Sequence, residues 1–69
     1  MANGVVKTLV IERGFGFIAE AGGPDLFFHM TDLPPELPFA ESLQERRVEF
    51  TVQQTARGAR AIGIVPARD

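Results

Sequence analysis

The 69-residue chain has no cysteine and a single histidine, His29. Without thiols there is no disulfide, no zinc–thiolate centre and no cysteine nucleophile, and the chain suits a reducing compartment. A cytoplasmic location is expected. A lone histidine with scattered carboxylates rarely makes a metal site. No nucleophile–base pairing is readable either, so no catalytic residue, metal or cofactor is expected, and the chain reads as a non-enzyme. Long apolar runs are missing too. Residues 5–11 are apolar but short, and Lys7 and Thr8 interrupt them, unlike the core of a signal peptide. Nothing approaches the ~20 apolar residues that span a bilayer, so no membrane partner is expected; with no catalytic pairing readable, no small-molecule substrate is expected either.

Positive charge is also scarce: seven Lys and Arg against nine Asp and Glu give a net charge of −2. Partners, however, read local potential rather than the global sum. Lys7 and Arg13 flank one stretch, Arg57 and Arg60 sit together, and the acids Asp32, Glu36, Glu41 and Glu45 are expected elsewhere. The length allows one small domain, 1–69, expected to be a monomer. Its core is marginal, with net stability of about 3–5 kcal/mol.

The chain does carry a regular β pattern. Residues 5–11, 14–20, 26–30, 48–53 and 59–65 read as strands, separated by turn signals such as Gly22-Gly23-Pro24-Asp25 and Ala56-Arg57-Gly58. Within 48–53, Val48, Phe50 and Val52 alternate with Glu49, Thr51 and Gln53, which predicts a buried and an exposed face. Residues 33–38 hold three prolines in six positions, incompatible with a central strand or a helix interior. Residues 39–47 have room for one helical turn. Five short strands point to an all-β barrel or sandwich, and closure into a barrel would remove exposed edges.

Two aromatic blocks stand out: Arg13-Gly14-Phe15-Gly16-Phe17-Ile18 and Asp25-Leu26-Phe27-Phe28-His29. Alternate residues of a strand share a face. Phe15 and Phe17 therefore point one way, with Gly14 and Gly16 opposite, and Phe27 points with His29. Ile18, Leu26 and Phe28 fill the other face. A small barrel has one interior, so if the second set is buried, the first set is exposed. An exposed aromatic patch of this kind suits nucleobase stacking.

These blocks resemble the two ribonucleoprotein motifs of the cold-shock domain, in the right order and about eight residues apart. Gly4-Val5-Val6-Lys7 resembles that family's first-strand opening. Val48-Glu49-Phe50 and Gly58-Ala59-Arg60-Ala61 resemble its last two strands. The resemblance implies a five-stranded antiparallel OB-fold barrel that binds single-stranded RNA or DNA, as an RNA chaperone or regulator of gene expression. It implies a nucleic-acid-binding set of Lys7, Arg13, Phe15, Phe17, Phe27, His29, Met30, Phe39 and Arg57. The family's first strand usually continues into Trp-Phe-Asn, where this chain has Thr8-Leu9-Val10, and Met30 stands where a phenylalanine is common. Counting Thr8 and Leu9 as two lost stacking platforms predicts affinity weaker by about 2–6 kcal/mol. A micromolar complex needs about 8 kcal/mol in all. The alternative is a degenerate cold-shock domain that serves as a protein-interaction module.

Overall fold

The computed structural model describes residues 1–20 and 22–67. Among the described residues five strands are present: β1 (Ala2–Val10), β2 (Phe15–Glu20), β3 (Leu26–His29), β4 (Arg47–Thr55) and β5 (Gly58–Pro66). They close into a barrel in the order β1-β2-β3-β5-β4. Every pairing is antiparallel except the closing seam, where β3 and β5 run parallel and Phe27 lies beside Arg60. Among the described residues, no helix is long and apolar enough to cross a membrane.

The core follows the alternation of the strands. Val6, Ile18, Leu26, Phe28, Val48, Phe50, Ala61 and Ile64 are buried from the five strands. The proline-rich segment adds Leu37, and a single 3-10 turn at Glu41–Leu43 adds Leu43. Burying a leucine contributes about 1.5–3 kcal/mol. The irregular segment therefore plugs the barrel rather than merely linking β3 to β4.

Strand limits differ from the sequence expectation where tertiary pairing decides them. β1 starts at Ala2 rather than at position 5 because Ala2–Val5 pair with Phe50–Arg47 of β4. It ends at Val10, since Ile11–Arg13 form a 3-10 turn. Gly14 is the C-cap of that turn at φ 74°, so it does not alternate within β2 as expected. β3 stops at His29, and Met30–Asp32 form another 3-10 turn. Val52 is exposed, not in phase with Val48 and Phe50. A register shift between Glu49 and Thr51 breaks the alternation, and beyond it the β4–β5 hairpin leaves the barrel core.

Candidate nucleic-acid interface

Two cross-strand rows build the exposed face of β1, β2 and β3. Val10, Phe15 and His29 form one row, and Thr8, Phe17 and Phe27 the other. Directly opposed residues share a face. Phe15, Phe17, Phe27 and His29 are all half-exposed, while Gly16, Ile18, Leu26 and Phe28 behind them are buried. Phe15 and Phe27 lie 5.5 Å apart between centroids with their rings tilted at 35°. Phe17 meets Phe15 edge-on at 6.0 Å and Phe27 at 6.1 Å. These are favourable aromatic separations, so the three rings hold one another in place while their outer surfaces stay open.

Gly16 makes this geometry possible. A Cβ there would lie 2.5 Å from the Thr8 carbonyl oxygen and 2.9 Å from the Phe28 ring. Glycine lets β1 and the core phenyl approach closely behind the two exposed rings.

His29 anchors one end of the platform. Its backbone N–H donates to Asp32 Oδ2 at 3.0 Å, and the Thr31 N–H donates to His29 Nδ1 at 3.2 Å. Nδ1 also lies 3.0 Å from the Thr31 hydroxyl, so both contacts of the turn fall on that nitrogen and Nε2 is left for a ligand. Met30 is 48% exposed, and its N–H donates to the Gly14 carbonyl at 2.8 Å. A Cβ on Gly14 would come within 2.8 Å of Met30 Sδ, so the thioether lies across the glycine beside the His29 end.

The remaining sequence-derived residues are placed unevenly. Phe39 stands apart from the three clustered rings. It is half-buried and meets core Phe28 edge-on at 6.4 Å. Lys7 sits at the register shift between Val6 and Thr8, and its ammonium pairs with Asp25 at 3.1 Å. Arg13 lies exposed in the turn before β2, and Arg57 lies exposed at the β4–β5 turn. The expected separation of acids from bases does not hold for Asp32. Its carboxylate, 13% exposed, accepts from Arg60 Nη2 at 2.5 Å, within the basic region rather than away from it.

Leu9 also departs from expectation. It lies opposite Gly16 and packs against the core. The register shift at Lys7 returns Thr8 to the face of Phe17 and turns Leu9 inward. Only Thr8, not Leu9, therefore stands at an open position of the platform.

Arg60 is the residue that sequence reasoning notices as a charge but leaves out of the site. It extends the row of Thr8, Phe17 and Phe27 across the seam. Its Cζ lies 6.0 Å from the Phe27 ring centroid, at the outer range of a cation–π contact. Phe17, Phe27, Arg57 and Arg60 border a cleft of about 520 Å³, closed on its far side by the β4–β5 turn. Seam pairing between β3 and β5 is the missing signal, and no local pattern encodes it.

Comparison with known proteins agrees with this geometry. Residues 2–67 match the family model described as the 'Cold-shock' DNA-binding domain. The chain is 40% identical over 68 residues to cold shock protein ScoF of Streptomyces coelicolor, covering 97% of this chain and 100% of that one. It is 37% identical over 67 residues to cold shock protein CspC of Bacillus subtilis, again covering 97% and 100%. A probable cold shock protein A of Mycolicibacterium smegmatis is 40% identical over 65 residues, covering 93% of this chain and 96% of that one. A matched sequence over nearly the full length, a closed five-stranded barrel and both aromatic motifs on one face lead to one assignment: the chain belongs to the cold-shock domain family, a family of nucleic-acid-binding domains.

Proposed function

We propose that the chain binds single-stranded RNA or DNA along the rows of Phe15, Phe17, Phe27 and His29, and acts on structured RNA as a chaperone without ATP. The observation that carries this reading is the outward cluster of three phenyl rings at 5.5–6.1 Å, backed by a face already filled with core residues. A hydrophobic cluster held open to solvent in so small a barrel has a binding role. Base–aromatic stacking supplies about 1–3 kcal/mol per base and tolerates any base. Duplexes keep their base faces stacked and cannot use the platform. Binding only the unpaired strand shifts hairpin and duplex equilibria by mass action, which is also how the chain would influence gene expression.

Phosphates are neutralised by Arg13 and Arg57, with Lys7 joining once it leaves Asp25. His29 offers a ring face and its Nε2 at the end of the path, and Met30 extends the apolar rim beside it. Phe39 contributes from the core side by supporting Phe28. No group in this scheme bonds covalently to the strand, and none needs a cofactor.

NMR titration with an oligo-pyrimidine strand tests the reading. Amide shifts should concentrate at Phe15, Phe17, Phe27 and His29. If none moves at millimolar strand, the platform is not a nucleic-acid surface, and a protein-interaction role takes its place.

A further inference from the structure

The sequence tolerance of stacking does not extend to the cleft between Phe27 and the β4–β5 turn. We propose that Arg60 reads a guanine there, through hydrogen bonds from its guanidinium to O6 and N7 of a base stacked on Phe27. This rests on the nucleic-acid reading above and adds a specificity-determining residue to it.

Three features of Arg60 support the assignment. The guanidinium is fixed before any ligand arrives. Nη2 donates to Asp32 Oδ2 at 2.5 Å, and that same oxygen accepts the His29 backbone N–H at 3.0 Å. The carboxylate is thus held by the platform's own backbone and holds the arginine in turn. Second, the donors are unevenly used. Nε is buried without a partner, and Nη1 makes no hydrogen bond among the described residues. Guanidinium carries five N–H donors in a rigid fork, so the Nη1 end is left with both hydrogens uncommitted. Third, the position is right for a base edge. Cζ lies 6.0 Å from the Phe27 centroid, and Arg60 continues the row of Thr8, Phe17 and Phe27. A base lying on the outer surface of Phe27 turns one edge towards β5.

The chemistry then selects the base. Nη1 and the second hydrogen of Nη2 form an end-on pair of parallel donors. Guanine offers two adjacent acceptors, O6 and N7, which match that spacing, and arginine with guanine is the commonest specific pairing of side chain and base. Adenine presents N7 beside an amino donor, and thymine and uracil separate their carbonyls by an N3–H donor, so each would leave a donor unmatched; cytosine's N3 and O2 are the one other adjacent acceptor pair, on the smaller ring. The cleft of about 520 Å³ gives room for the larger purine ring. Arg57 on the same cleft is exposed at the turn, and serves the flanking phosphate rather than the base.

The test compares a seven-nucleotide thymidine strand with the same strand carrying one central guanine, by fluorescence anisotropy at low salt. Guanine should tighten binding about tenfold. Replacing it by 7-deazaguanine, which lacks the N7 acceptor, should abolish most of the gain with the protein unchanged. Arg60→Gln and Arg60→Lys should both lose the preference, read in each variant as the ratio of its own affinities for the two strands, because lysine keeps the charge but not the fork. If guanine gives no gain, if 7-deazaguanine binds as well as guanine, or if Arg60→Lys keeps the preference, Arg60 does not read the base. If neither strand binds, the platform reading itself fails. Should both variants fail to fold, the 7-deazaguanine comparison on the parent protein still decides.

Discussion

Installing an aromatic at position 8 is the sharpest way to probe how the platform is laid out. Thr8 is exposed and lies opposite Phe17, so Thr8→Trp places an indole next to the Phe17–Phe27 pair without disturbing a buried group. Stability should stay within about 0.5 kcal/mol, as for most surface substitutions. One more stacking position is worth about 1–3 kcal/mol, which corresponds to about 5- to 150-fold in Kd. The chain has no tryptophan or tyrosine, so indole emission reports directly on the introduced ring. Titration with an oligo-pyrimidine strand should tighten as stated, and the indole should be quenched as bases stack on it. Leu9→Phe is the matched control. Leu9 packs inward opposite Gly16, so the larger ring should cost about 1–3 kcal/mol of stability by overpacking and add no affinity. Unchanged affinity and unquenched emission in Thr8→Trp, or a gain in Leu9→Phe, would refute the register argument.

Further outcomes follow from the same geometry. Phe28→Ala removes a fully buried ring; a loss of about 3–5 kcal/mol matches the whole stability expected of a small unstapled domain, so amide dispersion in NMR spectra should collapse. Gly14→Ala forces a Cβ into the left-handed region at φ 74° and against Met30, and urea denaturation should register a loss of about 1–3 kcal/mol. Binding should weaken with salt at a slope of about −1.4 in log–log form if Arg13 and Arg57 each neutralise one phosphate, and about −2.1 if Lys7 leaves Asp25 to join them, at about −0.7 per contact on a single strand. Arg57→Ala should flatten that slope by about 0.7, and an unchanged slope removes Arg57 from the phosphate path.

Much of this is legible in the sequence because the strand alternation runs unbroken through the β2–β3 pairing. Once Ile18, Leu26 and Phe28 are assigned to the inside, Phe15, Phe17, Phe27 and His29 have only the outside left, and the structure leaves them partly exposed there. The prolines of residues 33–38 keep that segment out of the sheet, but its role as a plug through Leu37 is not visible in them. What eludes the sequence depends on contacts between distant segments. The register shift at Lys7 reverses the facing of Leu9, and a strict alternation cannot anticipate it. The shift after Glu49 does the same to Val52. Charge segregation fails at Asp32 because a 3-10 turn folds that carboxylate back onto His29 and Arg60, which lie 3 and 28 residues away in sequence. Arg60 becomes part of the site only when the β3–β5 seam places it beside Phe27.

The central claim is that single strands bind on the outer rings, and anisotropy of a labelled oligo-pyrimidine at low salt tests it most directly. The parent should bind. Phe17→Ala and Phe27→Ala should each weaken binding by about 1–3 kcal/mol, provided far-ultraviolet circular dichroism shows both variants folded. Folded variants that bind as tightly as the parent would contradict it.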